Sequence, residues 1–134
     1  MDATPSAHAA ALWVGLHLIL LLVLSVLVVR QRRKHQVVLG DAEIPELTHA
    51  IRAFGNATEY VPGGLIAVAV LALASPNNPI VVHAVGLVLF VGRVAHAVGL
   101  SRSGGSSMLR SAGVTATWLA YILAAVALLF YAIP

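Results

Sequence analysis

Three polar side chains in the segment RAFGNATEYVP, Arg52 to Pro62, have the spacing needed to act together on one ligand. Arg52, Asn56 and Glu59 stand at i, i+4 and i+7, within about 60° of one another around a helix. They combine a guanidinium, an amide and a carboxylate, a set suited to a molecule that carries both negative and positive groups. Arg93 and His96, at i and i+3, form a second stripe, and Arg110 adds another cation. Each of these residues lies within, or at the edge of, a long apolar run. An ionisable group inside such a run costs about 2.5–3.5 kcal/mol on insertion scales, so it is expected to be paired or functional. Two readings of Glu59 and Arg93 stay open: an ion pair tying two helices together, or a polar pocket for a charged ligand. They are compatible, since an ion pair can also hold a pocket in shape.

The apolar runs define the class of protein. Of the 134 residues, 60% are hydrophobic and 10% charged, and the mean hydropathy is +0.94, outside the range of soluble globular domains. Four stretches are long enough to cross a bilayer: Ala9–Val29, about 57–74, Ile80–Leu100 and Ala112–Ile133. The prediction is an all-α polytopic membrane protein, one four-helix domain over residues 1–134, with an up-down bundle of helices at about 9–33, 46–74, 79–100 and 109–133. Pro45 and Glu46 suit the first turn of the second helix. The short SPNNP connection, Ser75 to Pro79, folds helices two and three into an antiparallel hairpin. A cleaved signal peptide is not expected, because the basic residues follow the first run and MDATPSAHAA carries none.

Charge gives the orientation. Arg30, Arg32, Arg33 and Lys34 lie between runs one and two, and Arg102 and Arg110 between runs three and four. The opposite side carries no Lys or Arg. The positive-inside rule therefore predicts both basic loops in the cytoplasm and both termini outside. The same placement accounts for a pI of about 10.0 without invoking nucleic acid. It also brings Arg30, the Arg52 stripe, Arg93, His96 and Arg110 to one depth, near the cytoplasmic face. The chain has no cysteine, and its histidines lack metal-ligand spacing, so no metal site is expected.

Other residues are expected to serve structure. His17 reads as a buried histidine bonded to a neighbouring helix, His83 as structural, and Gly86, Gly92 and Gly99 as sites of close helix packing. Trp118 and Tyr121 are expected to pack in the bundle. Pro62 should kink helix two and free the Thr58 carbonyl. Tyr60 is either a pocket wall or an interface anchor. GLSRSGGSS lacks the lysine of a phosphate loop and reads as a flexible connection.

RAFGNATEYVP, together with GRVAHAVG (Gly92–Gly99), LRSAG (Leu109–Gly113) and VRQRRK at the end of helix one, resembles the MAPEG superfamily, the membrane-associated proteins in eicosanoid and glutathione metabolism, and most closely its bacterial branch. The resemblance implies a homotrimer in the bacterial inner membrane, with glutathione bound between protomers near the cytoplasmic face. The glutathione thiolate would act as cosubstrate in transferase or peroxidase chemistry on lipophilic molecules arriving from membrane lipid. It implies that Arg52, Asn56, Glu59 and Tyr60 belong to the glutathione site, with Arg93 and His96 from helix three and Arg30 from the adjoining protomer. Arg110 matches the arginine that stabilises the thiolate, and Ser111 a serine implicated in the prostaglandin E synthase. Leu100 departs from a tyrosine of the eicosanoid-synthesising members, Gly55 from an arginine, and Val114 and Thr115 from their substrate-side residues. The departures weigh against eicosanoid synthesis and leave a non-catalytic glutathione- or lipid-binding scaffold as the alternative. A small proton-coupled transporter fits less well, because the membrane acid sits beside Arg52 and Asn56 and the charge asymmetry disfavours an inverted dimer.

Overall fold

The computed structural model of the chain describes residues 3–102 and 107–133. They form four helices: α1 (Pro5–His35), α2 (Pro45–Ala74), α3 (Pro79–Arg102) and α4 (Met108–Ala132). All four are long and apolar enough to cross a membrane, so the fold is a four-span helical bundle. Helix α1 starts earlier than expected. The Thr4 hydroxyl accepts from the Ala7 amide at 3.2 Å and Pro5 fits the first turn, so the helix begins at Pro5 rather than near Ala9. Ser107 caps α4 in the same way, accepting from the Arg110 amide at 3.2 Å. The connection between α3 and α4 falls on residues 103–106, outside the described residues, as does Pro134.

The expected turn between α2 and α3 closes with Asn78 N–H donating to the Ser75 carbonyl at 3.1 Å. It also anchors α1: the buried Ser6 donates its hydroxyl to the Ser75 carbonyl and its amide to the Pro76 carbonyl at 3.2 Å. The start of α1 and this turn thus share one end of the bundle. Helix α1 packs on α2 and α3, and α4 packs on α3 and α2, while the backbones of α1 and α4 do not come close among the described residues. One apolar cluster, including Trp13, Leu71, Val82, Val85 and Ala124, fills the end near the turn. A second, with Leu24, Ala53, Ala57, Ala97 and Leu100, fills the other end. Arg93 lies on α3 between them.

Glycine sets the closest approach. A Cβ on Gly113 would lie 2.5 Å from the His96 amide nitrogen and 2.7 Å from the Gly92 carbonyl oxygen, so α3 and α4 cross backbone to backbone. A Cβ on Gly99 would lie 2.8 Å from the Arg110 nitrogen, and one on Gly86 would run into the Trp13 ring. The packing role expected for the α3 glycines is therefore observed. Two other expectations need correction. Trp118 is 55% exposed and faces away from the bundle, because it sits one residue, about 100° of helix, from the buried Thr117. His17 is buried but bonds within its own helix, Nδ1 lying 2.7 Å from the Trp13 carbonyl, with its ring edge against Phe90.

The link from α1 to α2 is ordered by charge-assisted bonds. Arg32 donates to the Val38 and Gly40 carbonyls at 3.2 and 3.0 Å. The Asp41 carboxylate accepts from the Thr48 hydroxyl at 2.8 Å and from the Glu43 amide at 3.2 Å. These bonds hold Ala42 and Glu43 at φ of 50° and 58°, a left-handed conformation that non-glycine residues rarely adopt. The Thr48 hydroxyl, with the Glu43 amide, holds the Asp41 carboxyl below the ordinary carboxylate range. A carboxyl depressed in this way contributes stability above its ordinary range, and the contribution is lost as pH falls through its lowered value.

Gly113→Ala should lower the melting temperature of the solubilised protein, with an overpacking cost of about 1–3 kcal/mol. Gly15→Ala, where a Cβ meets nothing within 4 Å, should be neutral or stabilising by about 0.5–1 kcal/mol. Protection factors for backbone hydrogen exchange across residues 38–44, taken relative to the intrinsic rate at each pH, should fall as pH drops below the carboxylate range. Asp41→Asn should remove that acid-dependent step.

Candidate functional site

The α2 stripe forms one wall of an open groove of about 390 Å³, within the roughly 300–1,000 Å³ of small-molecule pockets. Arg52, Gly55, Asn56 and Glu59 line it from α2, His96 and Leu100 from α3, and Arg110 from α4. Their exposure is graded. Arg52 and Glu59 are exposed, Asn56 and Arg110 half-buried, and His96 and Leu100 buried at the base. Spacing alone had grouped these residues, and the fold brings five of the candidates, Arg52, Asn56, Glu59, His96 and Arg110, around a single space. A second groove, of about 320 Å³, shares His96 and Arg110 and continues along α4 past Ser111, Val114, Thr115 and Trp118. Arg110 and His96 are thus the partition between a polar groove and one leading onto the exposed face of α4. Ser111 is exposed on the second side.

Arg93 sits elsewhere. It is 1% exposed and lines neither groove. Its Nη1 donates to Asn56 Oδ1 at 2.9 Å and its Nε to Thr117 Oγ1 at 2.8 Å. The guanidinium carbon lies 4.9 Å from the centre of the Tyr60 ring, within cation–π range. The third nitrogen, Nη2, is buried without a hydrogen-bond partner among the described residues. The ion pair weighed for Glu59 and Arg93 is replaced by an amide contact. Glu59 turns outward, where its Oε2 is 3.5 Å from Asn56 Nδ2, and the neutral Asn56 meets the buried cation. A neutral partner spares the bundle the desolvation of a second charge.

Tyr60 is resolved as a support beneath Arg93, half-buried and absent from the groove lining. Its own carbonyl accepts from the Tyr121 hydroxyl, beside Pro62, and the two rings lie 6.2 Å apart. A Cβ on Gly63 would come within 3.0 Å of that hydroxyl, so glycine makes room for the contact. Arg30 is exposed on α1 and lines neither groove of this chain. Tyr121 packs in the bundle as expected, whereas sequence reasoning missed Thr117. Thr117 stands seven residues after Arg110, on the same face of α4, and that register was the signal that could have found it.

A four-span membrane protein with a polar groove at one end of its bundle is the class that this geometry defines. The chain belongs to the MAPEG family, whose model matches residues 10–130. It is 37% identical over 124 residues, 91% of each chain, to the inner membrane protein YecN of Escherichia coli K12, and equally similar to that of E. coli O6:H1.

Tyr121→Phe should leave the fold intact but cost about 0.5–1.5 kcal/mol, since it removes the hydroxyl that serves the Tyr60 carbonyl. Thermal denaturation of the variant against the parent protein checks the expectation.

Proposed function

We propose that the protein is a glutathione-dependent transferase or peroxidase of the bacterial inner membrane that acts on lipophilic electrophiles or hydroperoxides. The observation carrying this reading is the groove that gathers Arg52, Asn56, Glu59, His96 and Arg110. Glutathione has two carboxylates and one ammonium group. Guanidinium and amide donors suit the carboxylates, and Glu59 suits the ammonium. The donor set therefore fits the tripeptide. When bound, glutathione supplies a thiol whose thiolate form is the nucleophile.

The work of the chain is to bias that thiol toward the thiolate. A free thiol has a pKa of about 8.5, and a nearby guanidinium lowers it. Arg110 is the residue in this role, standing where the polar groove meets the second groove. Ser111, Val114, Thr115 and Trp118 form the path by which an apolar acceptor reaches the thiolate from the bilayer. In the assembly we propose, a homotrimer, the groove lies between protomers and Arg30 of one reaches the ligand of the next. Both termini lie outside and both basic loops in the cytoplasm, so the site opens to the compartment that holds reduced thiols.

A second reading is a binding scaffold without turnover. It is favoured by Leu100, which is 6% exposed at the groove base and offers no hydroxyl there. The two readings separate in one set of measurements. Calorimetric titration of the solubilised protein with glutathione should show binding, and ultraviolet difference spectra should show thiolate. Arg110→Ala should reduce the thiolate fraction about tenfold or more while leaving the oligomer intact. Binding without thiolate, and without turnover of aryl halides or hydroperoxides, would select the scaffold. The absence of any heat of binding would exclude glutathione from both.

A further inference from the structure

We infer that Arg93 is a positioning residue: it fixes the Asn56 amide so that the groove meets a hydrogen-bond donor at this point, never an acceptor. The inference rests on the groove being the ligand site proposed above. An asparagine side chain has two faces, a carbonyl oxygen and an NH2, and either can in principle point outward. Arg93 removes the choice. A guanidinium carries N–H donors and no acceptor, so the Asn56 atom 2.9 Å from Nη1 must be the carbonyl oxygen. Turning the amide over would set NH2 against N–H inside the bundle and leave a buried donor unpaired.

The orientation is held from several sides. The Thr117 hydroxyl donates to the Gly113 carbonyl at 2.8 Å, which commits its proton and leaves its oxygen to accept from Arg93 Nε. The Tyr60 ring lies against the guanidinium. Arg93 itself lines no groove, and among the hydrogen bonds described for it the one to Asn56 is the one that reaches a groove residue. With Oδ1 consumed, Nδ2 is turned outward beside Glu59 Oε2. Arg52 stands one turn away on the same stripe. Together Arg52 and Asn56 make a seat of donors, and the group that occupies it must bring acceptor oxygens, as a carboxylate does. An ammonium group, which carries donors and no acceptor, is turned away from Asn56 toward Glu59. The charged ends of a zwitterionic ligand are thereby given a fixed direction along α2.

The test uses the full-length solubilised protein with glutathione as probe. Thr117→Val exchanges a hydroxyl for a methyl outside the groove, and Arg93→Lys keeps the charge but loses the fork. Each should weaken glutathione binding about tenfold. Neither should weaken it further when Asn56 is already alanine. Losses that add to that of Asn56→Ala would overturn the inference, because a purely structural Arg93 would act independently of the amide. A second readout needs no ligand. In protein labelled with ¹⁵N-asparagine, the Asn56 side-chain signal, assigned by its loss in Asn56→Ala, should move in both variants. An unmoved signal would also overturn the inference. Should the parent protein not bind glutathione, the functional reading falls and the amide signal alone decides the positioning role. If Arg93→Lys does not fold, Thr117→Val carries both measurements.

Discussion

A guanidinium buried in a membrane-spanning bundle sets the terms for the rest of this structure. The bilayer interior offers no water to satisfy its donors, so the protein must provide the oxygens itself. It draws them from two directions, the Asn56 amide of α2 and the Thr117 hydroxyl of α4, and lays the Tyr60 ring alongside. Arg93 reaches both partners only if three helices stand within hydrogen-bond range of one another. The glycine crossing makes that possible. With Gly92 and Gly113 in backbone contact, Thr117 comes close enough to accept from an arginine on α3. A side chain at either glycine would separate the helices and strand the cation.

The division of the core follows from the same constraint. Apolar clusters occupy the two ends of the bundle, and the polar contacts of Arg93 are concentrated between them. The groove is built on the outer surface of this inner arrangement. Its base is buried and its rim exposed, so the base is held by packing while the rim is free to meet a ligand. Arg110 and His96 line both grooves, so two neighbouring spaces meet at only two side chains. In the transferase or peroxidase reading proposed above, this is where a polar thiol and an apolar acceptor would meet.

Much of this was legible in the residues because the signals are periodic. Spans of about 20 apolar residues announce themselves, and the Arg52, Asn56, Glu59 stripe follows from helical geometry. The partner of Arg93 was harder. Pairing opposite charges leads to Glu59, whereas the structure chooses the uncharged Asn56 on the next turn and leaves Glu59 outside. Reading formal charge cannot detect that preference, which comes from the cost of desolvating a second ion. Thr117 escaped for a related reason. A lone hydroxyl in an apolar helix looks like tolerated variation until its neighbour across the interface is known. Trp118 was misread because its place inside the fourth span suggested bundle packing, while its register beside Thr117 turns it outward. The start of α1 was hidden by polar composition, although Thr4 and Pro5 together are the residues of a helix start.

The graded exposure of the groove also bears on how such a protein can diverge. Arg52, Glu59, Ser111 and Thr115 carry little of the packing, whereas Arg93, Thr117 and Gly113 are hidden within it. Exchanges at the first set cost little folding free energy and can be sampled by drift, since surface positions away from buried networks are nearly neutral for stability. Exchanges at the second set are filtered by folding before any activity is tested. A lineage built on this bundle can thus change what it recognises many times over while inheriting the same interior.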